Sequence, residues 1–140
     1  MKLFLDTSSL VKLYYQEEGT EALDKFLKKH SIEAIYLSEI SKVELGSAIW
    51  KKLRMREIEE SDATALLNGF QEDYNRYKFI AVNAAIVNRA SNLIVKYGAQ
   101  GLRTLDAIQL SCAIEERNQI TVAKTSDEKL EDFLKQEGIG

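Results

Sequence analysis

One cysteine, one histidine and no proline occur in the 140 residues of this chain, and the shortages close off whole classes of chemistry. Cys112 alone can form no intramolecular disulfide and can anchor no multi-cysteine zinc site. His30 lies in a polar stretch, Lys28-Lys29-His30-Ser31, which makes a histidine triad or a histidine zinc site improbable. Without a histidine catalyst, metal-free ribonuclease chemistry of the cyclic-phosphate kind is disfavoured too. No apolar run approaches the roughly 18 residues that cross a bilayer, and the opening MKLFLD is too short, and too soon polar, for a signal peptide. A cytoplasmic protein with no membrane partner is expected. Repeats, low-complexity tracts and Gly/Ser-rich linkers are all missing, which predicts one domain over residues 1–140. Carboxylate chemistry is what remains.

The rest of the composition is that of an ordinary globular protein, 45% apolar and 29% charged. A net charge of −3 argues against a general nucleic-acid-coating protein, which would be basic. It leaves room for a nucleic-acid enzyme, because acids that await a divalent cation lower the formal sum. Lys51, Lys52, Arg54 and Arg56 form a basic run with no acid inside it. Two readings stand: cations at a solvated helix end, or a rim that contacts phosphates.

Strands are expected at Lys2 to Leu5, Ala34 to Leu37, Phe79 to Val82 and Ile120 to Ala123. Between them the pattern predicts helices. One is short and capped by Thr7 or Ser8; others span Thr20 to Lys29, Ser38 to Leu53 and Ile58 to Tyr77. Three more are capped by Asn83, Thr104 and Thr125. Helices that separate every strand mean an α/β fold, a parallel sheet covered on both faces. The sheet has four strands, or five if an edge strand follows Gly138.

Four acids stand at awkward places for a purely structural role. Asp6 follows the first apolar strand, where a parallel sheet binds its ligands, although capping the next helix is an equally good use of it. Glu44 has Ile40, Ser41, Ser47 and Ala48 as its helical neighbours, so no Lys or Arg pairs with it at those positions. Asp106 shares a face with Leu102, Leu110 and Ala113, one charge too many for a buried helix, with Arg103 as a candidate partner. Asp127 follows the last strand, and Thr125 with Glu128 has capping-box spacing there. Carboxylates gathered at one point repel and raise each other's pKa unless cations intervene. An oxygen-only donor set suits Mg²⁺ or Mn²⁺, and magnesium's affinity for phosphate points to phosphodiester hydrolysis.

The segments MKLFLDTSSLVKLYYQEEG, ISKVELGSAIWKK, GLRTLDAIQLSCAIE and TVAKTSDEKLEDFLKQEGI resemble the successive signatures of PIN-domain ribonucleases, and most of all VapC-type toxins of toxin–antitoxin pairs. The similarity runs from Met1 to about Gly138; its specific parts are the opening Asp-Thr-Ser and the LRTLDA segment. The resemblance implies a three-layer PIN-like fold with metal-dependent endonucleolytic cleavage of RNA. It also implies a homodimer and a cognate antitoxin. Asp6, Glu44, Asp106 and Asp127 match the family's acidic positions that bind Mg²⁺ or Mn²⁺. Thr7, Ser8 and Thr125 fall at hydroxyl positions beside them, with Thr125 best placed to orient a carboxylate. Lys12, Lys51, Lys52, Arg54 and Arg56 are candidates for contact with the RNA backbone.

Other acidic Mg²⁺ folds fit less well. A receiver domain wants paired acids after the first strand. A dehalogenase-like phosphatase wants an acid where Ser8 stands, and Leu10 breaks the Asp-x-Ser-x-Ser of an adhesion site. Two alternatives remain: a catalytically silent binding module on the same scaffold, with Trp50, Tyr74 and Tyr77 as candidates for its surface, and a free-standing RNA-processing nuclease.

Overall fold

A computed structural model describes all of residues 1–140. Strand β1 (Lys2–Leu5) leads into α1 (Thr7–Tyr14) and α2 (Thr20–Lys29); β2 (Ala34–Ser38) leads into α3 (Ser41–Arg54) and α4 (Glu60–Glu72). Then come β3 (Tyr77–Ile80), α5 (Ala84–Tyr97), α6 (Thr104–Glu115), β4 (Val122–Lys124) and α7 (Glu128–Gln136). The four strands are parallel and ordered β3-β2-β1-β4. None of the helices is long and apolar enough to cross a membrane.

Both faces of the sheet are covered, which is why β1 reads as an unbroken apolar run. Side chains of a strand alternate between faces, so Phe4 enters one core and Leu3 and Leu5 the other. The Phe4 side packs against α5, α6 and α7 through Ile86, Leu93, Leu110, Leu130 and Phe133. The Leu3 side packs against α1 to α4 through Leu10, Leu23, Leu45, Ile49 and Phe70. The result is the three-layer α/β sandwich that the alternation of strands and helices predicts.

Several boundaries differ from the sequence expectation, each because a long-range partner wins over local preference. Ser38 does not cap α3. Pairing of Ser38 with Ile80 keeps it in β2, and its fully buried Oγ accepts from Ile40 N and from Cys112 Sγ. Helix α3 therefore begins at Ser41, and Glu44 stands in its first turn, not in mid-helix. The long periodic stretch to Tyr77 is not one helix either. It breaks after Glu72 into a 3₁₀ turn, because Tyr77 pairs with Ile35 as the first residue of β3. Its aromatic periodicity survives as a cluster, with Phe70, Tyr74, Tyr77 and Phe79 packed ring against ring.

Neither Thr7 nor Ser8 caps α1, and Thr104 is the first residue of α6, not its cap. Asp6 and Asp127 are the caps of α1 and α7, accepting from Ser9 N and Leu130 N, so Thr125 is free for another partner. Asn83 caps α5 as expected, accepting from Ile86 N. No fifth strand follows Gly138. That glycine, at φ 77°, turns the chain back so that Ile139 is buried beside Leu134.

Leu110 has no exposed surface and joins α6 to the core beneath β1. Replacing it by alanine is expected to cost about 3 kcal/mol, read as a lower urea midpoint with an unchanged slope.

Candidate metal centre

Parallel pairing of β1 with β4 sets Leu5 beside Lys124, and Asp6 N donates to Lys124 O at 3.3 Å. The chain beyond both strands thus meets at one edge. Asp6 is 4% exposed. Ser8 Oγ reaches both of its carboxylate oxygens, at 2.8 and 2.9 Å, and Thr125 Oγ1 donates to Oδ2 at 2.7 Å. Burial pushes the Asp6 carboxyl above its usual range, opposed by the hydrogen bonds from Thr125, Ser8 and Ser9, and Glu44 adds like-charge repulsion. Asp6 is therefore both a helix cap and a polar centre.

Asp127 enters through Thr125, whose Oγ1 also accepts from Asp127 N at 3.0 Å. Glu44 enters from α3: its Oε1 accepts from Thr7 Oγ1 at 3.0 Å. Asp106 stands in the first turn of α6 and makes no salt bridge with Arg103, whose charge lowers its pKa less than the nearby acids raise it. Burial, then repulsion from Asp127, Asp6 and Glu44, pushes the Asp106 carboxyl up to about 6. Each of the other three acids is thus close enough to be felt at Asp106. One electrostatic neighbourhood holds all four.

As placed, these side chains form no group of three or more His, Cys, Asp or Glu around a single point. Their chemistry nonetheless fits a hard divalent cation. The donors are oxygens only, no salt bridge neutralises Asp106, and Mg²⁺ keeps waters that bridge to carboxylates it does not touch.

A crevice of about 440 Å³ opens beside Glu44, lined by Thr7 and Ser8 from α1, by Lys51 and Arg54 from α3, and by Leu105. Of the five candidate basic residues, only Lys51 and Arg54 line it. Lys12 and Lys52 border an adjoining groove, where both pair with Glu17, at 2.9 and 3.3 Å. Arg56 is exposed, with a left-handed backbone (φ 61°), just past the end of α3. Tyr74 and Tyr77 are partly buried, packed against the core around Phe70, while Trp50 is 37% exposed.

Sequence reasoning missed Gln109 and Ser41. Gln109 is buried, and its Nε2 lies 2.8 Å from Glu44 Oε1, 3.1 Å from Thr7 Oγ1 and 3.1 Å from Ser41 Oγ. An amide in the apolar run of α6, three residues after Asp106, was the available signal.

The raised Asp106 pKa has a definite sign for stability. The unfolded chain loses this proton near pH 3.8 and the folded one near 6, so without metal stability falls as pH rises across that window. Asp106→Asn is expected to raise the melting temperature of the metal-free protein at pH 7.5, on the order of 3 °C. Scanning calorimetry from pH 4 to 7.5 checks it: the gain should vanish towards pH 4.

Known structures share this arrangement of strands and helices. VapC20 of Mycobacterium tuberculosis, a sarcin-ricin loop cleaving toxin, superposes with a TM-score of 0.70 at 17% identity, over 94% of each chain. A toxin–antitoxin complex from Klebsiella pneumoniae gives 0.68 at 18% identity, over 99% of this chain and 95% of that one. VapBC2 of Rickettsia felis, bound to a DNA fragment from its promoter, gives 0.65 at 18%, over 94% and 92%. No curated protein sequence matches. The PIN domain signature matches residues 3–135, nearly the whole chain. This chain belongs to the PIN domain family.

Proposed function

We propose that this protein is a Mg²⁺- or Mn²⁺-dependent endoribonuclease and the toxin of a toxin–antitoxin pair. The observation that carries the reading is the crowding of acids at the sheet edge, where burial and then repulsion from three other carboxylates lift Asp106 to about 6. Repulsion of that kind is what a divalent cation relieves. The toxin assignment draws support from the structural neighbours, which include a toxin that cleaves the sarcin-ricin loop and toxin–antitoxin complexes.

In this reading Asp6, Glu44, Asp106 and Asp127 hold the cation. When bound, it supplies an activated water and stabilises the leaving oxygen. Ser8 and Thr125 fix both oxygens of Asp6, so that carboxylate presents one geometry. Thr7 holds one oxygen of Glu44, Oε1. Lys51 and Arg54 hold the RNA backbone along the crevice; Lys12 and Lys52 serve there only by leaving Glu17. The functional partners are a second copy of the chain and a cognate antitoxin, in the cytoplasm.

The decisive assay follows cleavage of varied RNAs with Mg²⁺, Mn²⁺ or EDTA. Cleavage should require metal, and Asp6→Asn or Asp106→Asn should reduce it at least ~100-fold while the fold persists. Expression of the wild type without its antitoxin should arrest growth, and either variant should not. Growth unaffected while RNA is still cut indicates a free-standing processing nuclease. Metal binding with no cleavage under any metal indicates a silent module. Lys51→Ala with Arg54→Ala should weaken RNA binding and flatten its dependence on salt, by about one unit of log–log slope for each cation that contacts a phosphate.

A further inference from the structure

The carboxylate of Glu44 is held on one side only. Its Oε1 accepts from Gln109 Nε2 at 2.8 Å and from Thr7 Oγ1 at 3.0 Å. Its Oε2 takes part in no hydrogen bond or salt bridge, while Glu44 itself lines the crevice. Ser41 Oγ stands 2.9 Å from Thr7 Oγ1 and 3.1 Å from Gln109 Nε2, which completes a polar cluster across α1, α3 and α6.

The hydrogens in this cluster have a consistent direction. An amide nitrogen has two of them, and a hydroxyl has one. Gln109 gives one hydrogen to Glu44 and the other to Ser41; Ser41 donates to Thr7, and Thr7 donates to Glu44. Every chain of donors ends on Oε1.

The arrangement has a cost. Gln109 Oε1 is buried with no partner. A buried orphan carbonyl destabilises a fold, and such an atom in a native structure calls for a reason. Turning the amide over would give that oxygen the hydroxyls of Ser41 and Thr7, but would set it against the Glu44 carboxylate. A leucine of similar size would remove the penalty outright. The chain keeps a glutamine whose only satisfied end faces Glu44.

We infer that Gln109 is a positioning residue of the metal centre: with Thr7 it fixes Oε1 of Glu44 so that Oε2 is left to face the bound cation. The inference rests on the metal-dependent reading above. It adds a residue of α6 that neither touches the cation nor contacts substrate. Through it, the helix that carries Asp106 also sets the orientation of the acid on α3.

Calorimetric titration with Mn²⁺, paired with thermal melts, tests this. Gln109→Leu is expected to weaken Mn²⁺ binding about 10- to 100-fold, the usual consequence of losing a residue that orients a ligand. Its metal-free melting temperature should stay at or above that of the wild type, because the orphan carbonyl is gone. Gln109→Met, unbranched and of the same length, is the second probe and should behave alike. Wild-type Mn²⁺ affinity in a folded variant overturns the inference. Loss of the fold in both variants overturns it too, in favour of a structural role. If the wild type itself binds no Mn²⁺, and Asp6→Asn changes nothing, the metal-dependent reading fails first and takes the inference with it.

Discussion

Like charges crowded at the carboxyl edge of a parallel sheet are the constraint around which this molecule is arranged. Pairing of β1 with β4 brings Asp6 and the Thr125–Asp127 turn together, and the first turns of α3 and α6 add Glu44 and Asp106. Left alone, such a group opposes folding, and the Asp106 carboxyl, raised by burial first and by its acidic neighbours next, records that opposition in part. The opposing contributions are visible as well. Asp6 and Asp127 cap helices, and Glu44 and Asp106 stand where helix dipoles favour negative charge. Hydroxyls of Thr7, Ser8 and Thr125 donate to the carboxylates of Glu44 and Asp6. A structural use of these acids is therefore no rival to the proposed one. For Asp6 and Asp127, the capping that makes the acid tolerable also fixes where it stands.

Two cores carry this edge without sharing side chains across the sheet. The α1–α4 layer positions Thr7, Ser41, Glu44 and the cations of the crevice; the α5–α7 layer positions Asp106, Gln109 and Asp127. The acids thus come from both sides of a rigid divider. Their separation depends on how each helix seats on its own face. Gln109 links the two layers, because its amide reaches from α6 to residues of α1 and α3. The cations sit on the same side as Glu44. That gives the crevice a negative end and a positive wall, in a protein whose total charge is only −3.

How much of this the chain announces in advance depends on the range of the interaction. The strands, their parallel arrangement and most helices follow from apolar runs and spacing, which are local. Errors arise where a distant partner intervenes. Ser38 looks like a helix cap and is a strand residue, because Ile80 lies beside it. Tyr77 continues a helical periodicity and begins a strand, because Ile35 is its neighbour. Thr125 has the spacing of a capping box, yet its hydroxyl serves Asp6, 119 residues away.

The acids themselves were legible, since a carboxylate without a nearby cation is conspicuous in a sequence that is otherwise apolar there. Counting cysteines and histidines also left oxygen as the expected donor. What the order of residues left open was which uncharged groups attend those acids, and which of the basic residues are free. Gln109 and Ser41 carry no charge to betray them, and Lys12 and Lys52 become engaged only when Glu17 folds back on them. Charge and hydrophobic period are properties of single residues and near neighbours, so the chain by itself determined the fold class and pointed to carboxylate chemistry. Hydrogen-bond partnership across layers exists only once the helices are seated, and so the tertiary structure alone decided how each acid is held.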